Sequence, residues 1–342
     1  MPALRALRES YPDARITLLS TAEADSFVQR FRCYLDDLLV YPGPPNRPDA
    51  AACLTDDDVS RFYTEAHARR FDAIIQLQDG AEAWNHIVAR LGAAHWAGFV
   101  AENASATTLS ALGRNNAHAV LLPWPGHLPE IQRYTALIQH LGIPVSSHTL
   151  DIPLADSDHQ EAAGLFQSAG LNPSQTVVLH PGAMRPEERW PAECYARLAQ
   201  ELVAHGWQIA ITGREDDRPE TQRVRAAMRN FAVDLTGATH SGSYAAMLAQ
   251  CRLLVCNEPS VSHVALAVHT PSIVLASGSD RNRWVLPNPE LHTVLWPHMP
   301  DTLQSQADQQ SKGVPGRPAD LIDVDRVLLH ARHKLKTGAN PA

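Results

Sequence analysis

Residues 176–183 of the 342-residue chain, TVVLHPGA, join a short apolar run to a loop that contains proline and glycine. The β-branched run Thr176–Leu179 is typical of a strand that is buried on both faces of a parallel sheet, and the loop His180–Ala183 follows it at once. A helix is predicted after Trp190-Pro191, because apolar residues recur at helical spacing as far as His205-Gly206. This order of strand, loop and helix indicates a βαβ unit.

The same alternation continues on both sides of this unit. Parallel sheets covered by helices on both faces, and therefore an α/β fold, are the expected result. Further strands are predicted at 15–19, 38–41, 71–77, 95–99, 208–212, 232–235, 252–256 and 272–275, and helices at 3–10, 56–70, 81–91, 219–229, 243–250 and 262–268. The segment 150–158 carries Pro153 and several acids and is predicted to be a linker between two domains, 1–150 and 151–342.

The composition excludes several classes of protein. The formal net charge of -8, with 19% charged residues, disfavours nucleic acid as a partner. The first 20 residues do not resemble a signal peptide, and no apolar run is long enough to span a membrane, so a cytoplasmic location is expected. The five cysteines form no CxxC pair and the seventeen histidines form no HxxxH or HExxH motif, so no metal site is predicted.

Lysine occurs only at Lys312, Lys334 and Lys336. This distribution excludes a Walker-type GK[ST] loop and makes a Schiff-base lysine in either domain body improbable. Any phosphate contact is therefore expected from arginine, histidine, hydroxyl groups or backbone amides.

Three loops that follow predicted strands are candidates for a binding site: 180–183, 212–215 and 257–263. Ligands of parallel α/β sheets bind at the carboxyl ends of the strands, where helix N-termini favour phosphate, so these loops are expected to converge on a nucleotide-like ligand. Gly182 would let the backbone approach a diphosphate, and the Glu215 carboxylate would accept hydrogen bonds from the hydroxyl groups of a ribose.

Each of these loops also has an ordinary structural explanation. The first is equally compatible with a plain βα turn, the acid Glu215 belongs to a run of three acids that is typical of a solvated surface, and His263 suits a packed or capping histidine. The chain has no GxGxxG motif, which disfavours a nicotinamide-dependent dehydrogenase.

Several short motifs occur along the chain: PALRALR at 2–8, YPDARIT at 11–17, HPGA at 180–183, RWP at 189–191, ITG at 211–213, LTG at 235–237, and Asp280 with Arg283-Trp284. In their order and spacing, these motifs resemble those of glycosyltransferase family 9, the heptosyltransferases. The resemblance covers nearly the whole chain and is strongest between residues 175 and 285.

This resemblance implies a GT-B architecture, in which two Rossmann-like domains face a cleft. The N-terminal domain would hold a glycolipid or other glycan acceptor, and the C-terminal domain, with its C-terminal helix, would hold a nucleotide-sugar donor. Such enzymes use no metal and no cofactor. Amides and basic side chains stabilise the leaving diphosphate, while a carboxylate removes the proton of the attacking acceptor hydroxyl. The transfer inverts the anomeric centre. The expected activity is transfer of a sugar, heptose in this family, to an envelope glycolipid, with peripheral contact at the inner membrane.

The resemblance also implies a set of donor-binding residues. Gly182 and Ala183 would line the diphosphate, Glu215 would bind the ribose, and Thr239 would lie near the base. The full set is His180, Gly182, Ala183, Arg185, Arg189, Thr212, Gly213, Glu215, Thr239, Glu258, Ser260 and His263.

One departure from the family concerns the first strand. In the family a strand and a glycine-containing loop with the catalytic aspartate precede the Pro-Ala-Leu helix, which here begins at Pro2. The first strand is therefore expected to be missing from this sequence, and the base and an apolar strand ending in a Gly-x-x-Gly-Asp-like loop are expected upstream of Met1. Without a central strand, two half-sheets with unpaired edges are predicted.

Other departures affect the expected donor site. Glu188 stands where the family has lysine, and Arg185 or Arg189 would have to compensate for its charge. Glu258-Pro259-Ser260 replaces Asp-Thr-Gly, so that an amide donor and a flexible backbone position are lost. Gly278 replaces a proline in a late loop.

These departures leave a second hypothesis open, a catalytically degenerate relative that acts as a binding or scaffolding protein. Glu188 and the 258–260 segment favour it, whereas the His180 loop, Glu215 and His263 favour an enzyme. A non-hydrolysing sugar-nucleotide epimerase of the same fold would need acid and base pairs, for which the sequence has no motif.

Overall fold

The computed structural model describes residues 1–43, 55–78, 82–102, 104, 119–183, 185–228, 232–257, 259–277, 281–283, 285–297 and 322–337. The chain divides into two compact units, Met1–Thr149 and Leu150–Ala342. Among the helices in these described ranges, none combines the length and the hydropathy needed to cross a lipid bilayer.

The first unit contains two separate parallel sheets within its described residues. One sheet pairs β1 with β2, and the other has the order β3-β4-β5. The strands are β1 (Thr17–Ser20), β2 (Asp37–Val40), β3 (Ala73–Ile75), β4 (His95–Val100) and β5 (Ala119–Pro123), and the helices are α1 (Pro2–Ser10), α2 (Asp25–Arg30), α3 (Asp56–Arg69), α4 (Glu82–Ala89) and α5 (Glu130–His140). The further strand ahead of α1 stays a prediction.

The second unit is built on one six-stranded parallel sheet. Its strands are β6 (Thr176–His180), β7 (Gln208–Ile211), β8 (Val233–Asp234), β9 (Leu253–Cys256), β10 (Ser272–Leu275) and β11 (His292–Leu295). Their spatial order, β8-β7-β6-β9-β10-β11, is that of a doubly wound Rossmann sheet, which runs outward in both directions from its first strand. The chain therefore changes winding direction between β6 and β9, where such folds bind their ligands.

Buried strands and amphipathic helices explain this sheet. Every residue of β9 and β10 is buried, as expected for strands that are covered on both faces. Trp190 and Tyr195, both fully buried, pack in an edge-to-face arrangement over the sheet. The helices are α6 (Asp156–Ala169), α7 (Ala192–Ala204), α8 (Arg218–Ala227), α9 (Ser241–Gln250), α10 (Pro259–Ala267) and α11 (Val324–Thr337).

The structure also corrects the sequence-based interpretation. The linker predicted at 150–158 is wrong at its end, because α6 begins at Asp156 and the Asp158 carboxylate accepts a hydrogen bond from Ala155 N–H at 2.8 Å, which caps the helix. The strands β5 and β11 and the helices α2, α5 and α6 were not predicted.

Helix α11 ends at the amino ends of the strands. Arg252, directly ahead of β9, donates from Nη2 to Leu335 O at 3.0 Å. Lys334 donates from Nζ to Glu290 O, just ahead of β11, at 2.7 Å. Burial lowers the pKa of the Lys334 amine to about 8. The last turn of α11 thus lies at the amino ends of the strands, opposite to the loops that follow their carboxyl ends.

Candidate functional site

Three segments meet at the carboxyl ends of β6, β7 and β9: the loops His180–Ala183 and Thr212–Glu215, and the residue Asn257. We call these three segments the cradle. The side chain of Asn257, which is fully buried, joins two of them. Its Nδ2 donates to Pro181 O at 2.6 Å, and its Oδ1 accepts from Trp190 N–H and from the Tyr195 hydroxyl, each at 3.0 Å. One side chain therefore fixes the loop after β6, the end of β9 and the entrance to α7.

His180 connects the first loop of the cradle to the second. Its Nδ1 lies 3.1 Å from Thr212 Oγ1 and 3.4 Å from the Tyr244 hydroxyl. Burial lowers the pKa of His180 to about 4, with Asp217 opposing this effect and Arg214 adding to it. The imidazole is thus neutral at pH 7, and it has a single ring N–H to donate.

Asp217 is the buried carboxylate of the cradle. It stands at the N-terminus of α8, its carboxylate accepts a hydrogen bond from Arg214 N–H at 2.9 Å, and it is 9% exposed. A Cβ built on Gly182 would lie 2.5 Å from both carboxylate oxygens, and one built on Gly213 would lie 2.9 Å from Asp217 Cβ. The two glycines therefore make room for Asp217, a role that the sequence interpretation, which reserved Gly182 for a diphosphate, did not foresee.

Glu215 is engaged by a neighbouring arginine. Arg218 donates from Nε to Oε1 and from Nη2 to Oε2, both at 2.5 Å, and also from Nη2 to Thr236 O at 3.1 Å. These hydrogen bonds lower the pKa of Glu215. The exposed carboxylate also lies against Gly237, in the loop that carries the partly buried Thr239. Glu215, the residue expected to bind the ribose, therefore lies beside the loop after β8. Both of its carboxylate oxygens accept hydrogen bonds from Arg218.

The two arginines expected near a diphosphate are bound to groups of the protein. Arg185 forms an ion pair with Glu188, whose side chain is buried. Arg189 donates from Nε and Nη2 to Ala183 O at 3.3 and 3.1 Å, and its Nη1 lies 3.9 Å from Glu220. Arg189 therefore supports the His180–Ala183 loop, while Arg185 offsets the charge of Glu188.

The remaining predicted residues lie at the start of α10 or outside the described residues. Pro259 begins α10, Ser260 follows it and is exposed, and His263 lies one turn later and is partly buried. Glu258 lies outside the described residues, as do Gly278, Asp280 and Trp284. Sequence reasoning included Asn257 only as the first residue of the candidate loop 257–263, without a role of its own, and it missed Asp217, Tyr195 and Tyr244 as site residues.

Two histidines whose pKa is lowered, His180 and His292, should make the protein less stable in mild acid. Burial lowers the pKa of His180 and of His292 from 6.5 to about 4, and for His292 the nearby Lys334 and His269 add to the effect. Below pH 6.5 the unfolded chain binds more protons than the folded one. The free energy of unfolding is therefore expected to fall by about 2 kcal/mol per histidine between pH 7 and pH 5, and to be fully retained above pH 6.5.

Urea unfolding at a series of pH values measures this effect. His292→Asn keeps an acceptor for Ser272, which lies 2.8 Å from Nδ1, and removes one titrating group that lies outside the cradle. This variant should lose the part of the pH dependence that His292 contributes, about 2 kcal/mol between pH 7 and pH 5. An unchanged profile in the variant would refute the assignment of His292.

Comparison with known proteins places the chain in a family. A family model described as glycosyltransferase family 9 (heptosyltransferase) matches residues 59–313. Lipooligosaccharide heptosyltransferase 2 of Haemophilus influenzae is 31% identical over 157 residues, which cover 42% of this chain and 45% of that protein. Lipopolysaccharide heptosyltransferase 2 of Escherichia coli is 27% identical over 157 residues, 42% of this chain and 44% of that protein. The chain thus matches less than half the length of these curated relatives.

Solved structures show the fold. A glycosyltransferase family 9 protein from Veillonella parvula has a TM-score of 0.76 at 19% identity, covering 98% of this chain and 92% of that one. The ADP-heptose LPS heptosyltransferase II of E. coli has a TM-score of 0.70 at 19% identity, covering 98% and 93%. These likenesses confirm the predicted α/β fold class with the GT-B architecture. Since the family model matches well over half of the 342 residues, the chain belongs to glycosyltransferase family 9.

Proposed function

We propose that this chain transfers a sugar, heptose being the first candidate, from a nucleotide-diphosphate donor to an envelope glycolipid or another glycan. Transfer would invert the anomeric centre and need no metal ion. The protein would act in the cytoplasm, with a peripheral contact at the inner membrane where a lipid-linked acceptor is presented. The curated relatives are heptosyltransferases of lipopolysaccharide or lipooligosaccharide, which supports this choice of donor and acceptor.

The convergence of the cradle loops on Asn257 is the observation that carries the proposal. A glycosyltransferase has to stabilise the charge that develops on the leaving diphosphate, and preorganised donors do this best because they need no rearrangement during the reaction. The fixed backbone of 180–183 and the neutral His180 ring offer such donors at the switch point of the sheet. Thr212, Gly213, Thr239, Glu258, Ser260 and His263 complete the proposed donor site around them.

Thermal unfolding in the presence of nucleotides tests donor binding. ADP-heptose and ADP are expected to raise the Tm, because a ligand at 100 times its Kd stabilises the folded state by about 2.7 kcal/mol. UDP and GDP test the choice of base, and adenosine is the control without phosphate. If ADP, UDP, GDP and ADP-heptose all leave the Tm unchanged, the proposal of a donor site is wrong.

A transfer assay tests the finer claims. With ADP-heptose and a heptose-deficient lipopolysaccharide as acceptor, product formation should persist in excess EDTA, and NMR of the product should show the inverted anomer. Activity that disappears with EDTA and returns with Mg²⁺ would contradict metal independence.

A catalytically degenerate binding protein is the second candidate. The buried Glu188, paired with Arg185 at the position where the resemblance predicts lysine, favours it because this pairing occupies a cation that would otherwise face the diphosphate. Nucleotide binding without any transfer to the acceptor would support this candidate.

A further inference from the structure

A buried negative charge lies within the proposed diphosphate site. The Asp217 carboxylate rests against the backbone of Gly182, in the loop proposed to line the diphosphate. Its one hydrogen bond in the described part of the chain comes from Arg214 N–H, and no ion pair there links it to a cation. The carboxylate is stabilised instead by its place at the N-terminus of α8.

The cations around the cradle do not cancel this charge. Arg185 is paired with Glu188, and Arg189 is bound to Ala183 O. Arg214 extends into solvent, where its charge is screened, and its nearest carboxylate partner is Asp216 at 3.7 Å. Among the described residues, lysine occurs only in α11, at the opposite edge of the sheet. An anion that enters beside Gly182 therefore meets a carboxylate that is poorly screened by solvent.

Charge repulsion at this position depends on the charge of the ligand. A free nucleoside diphosphate has one more ionised oxygen at neutral pH than a nucleotide sugar, because the second pKa of a terminal phosphate is about 6. The repulsion between charges a few ångströms apart is large where water is excluded. The carboxylate therefore weakens binding of the free diphosphate more than binding of the sugar ester.

We infer that Asp217 is a specificity-determining residue that distinguishes donor from product by charge and thereby promotes release of the nucleoside diphosphate after transfer. The inference rests on the proposed function and adds a role that Glu215 does not have, since Glu215 is exposed and bound to Arg218. Asp217 would act on the ligand through space, with no bond to it.

Calorimetric binding of ADP and of ADP-heptose to three proteins tests this inference: the wild type, Asp217→Asn and Asp216→Asn. Asparagine keeps an oxygen that accepts from Arg214 N–H, so the hydrogen bond that closes the turn ahead of α8 is retained. Asp216→Asn makes the same change of charge on a side chain that is 88% exposed. Asp217→Ser, which also keeps an acceptor, serves as a second neutral variant, and the Tm shows that each variant is folded.

Asp217→Asn should lower the Kd for ADP by about tenfold or more. It should lower the Kd for ADP-heptose by a smaller factor, so that the ratio of the two Kd values changes. Asp216→Asn should resemble the wild type. If the wild type binds both ligands and Asp217→Asn and Asp217→Ser leave the ratio unchanged, the inference is overturned while the proposed function stands. If no protein binds either ligand, the proposed function fails and the inference fails with it.

Discussion

Asn257→Ala is expected to lower the free energy of unfolding by about 4 kcal/mol and to abolish nucleotide binding. The substitution removes three hydrogen bonds of 2.6 to 3.0 Å and leaves the Pro181 carbonyl, the Trp190 amide and the Tyr195 hydroxyl without this partner. Buried polar groups that lose their partners cost about 1–3 kcal/mol each. Urea unfolding measures the stability, and calorimetry with ADP measures the binding.

Three variants separate the parts of this effect. Tyr195→Phe removes one of the three bonds and should cost about 1 kcal/mol. Asn257→Asp places a carboxylate oxygen against Pro181 O and leaves a buried charge without an ion-pair partner. We therefore expect it to lower the free energy of unfolding as much as Asn257→Ala does. Asn282→Ala makes the same truncation at an exposed position and should change stability by less than about 0.5 kcal/mol. A cost at Asn257 as small as that at Asn282 would contradict its role as the centre of the cradle.

Gly182→Ala is expected to cost about 3 kcal/mol. The added methyl group would lie 2.5 Å from both oxygens of Asp217, so that the carboxylate or the loop backbone has to move. Overpacking of this kind costs about 1–3 kcal/mol, and loss of the hydrogen bond between the carboxylate and Arg214 N–H adds to it. Gly164→Ala is the matched control: Gly164 lies in α6, its added methyl group meets no atom within 4 Å, and alanine is the better helix former, so this variant should be slightly stabilised.

A double-mutant cycle identifies the cause. In an Asp217→Ala background the methyl group at position 182 no longer meets a carboxylate, and Gly182→Ala should then cost less than about 1 kcal/mol. An equal cost in both backgrounds would show that the Gly182 backbone, and not its contact with Asp217, requires glycine.

The central strands β6, β9 and β10 of the second unit could be predicted from the sequence because they are buried on both faces. The apolar runs at 176–179, 253–256 and 272–275 are short and β-branched, and each ends at a loop or helix signal, so their local pattern agrees with their place in the sheet. The run Ala119–Pro123 has a similar composition but ends in proline and was not assigned as a strand. Its place in the sheet depends on pairing with β4, which is remote in sequence.

The site was predictable as a set of loops but not as a set of contacts. The position of the loops follows from the parallel topology, which brings the ends of β6, β7 and β9 to one edge. The run Glu215-Asp216-Asp217 gives no local sign that its last member is buried and its first exposed, since burial is decided by the approach of Gly182. Asn257 likewise gains its role through partners at least 62 positions away in the chain.

The place of α11 determines how the protein can be tethered for binding measurements. Of the two lysines in the described part of the chain, Lys334 is 4% exposed and Lys336 is exposed, while Lys312 lies outside it. Within the described part of the chain, Lys336 is the exposed lysine that an amine-reactive linker can reach, and it lies close to the amino ends of the strands. Such linkers will not modify the side chains of the cradle, because none of them carries an amine. Immobilisation through amines consequently suits this protein better than it suits enzymes that bind phosphate through lysine.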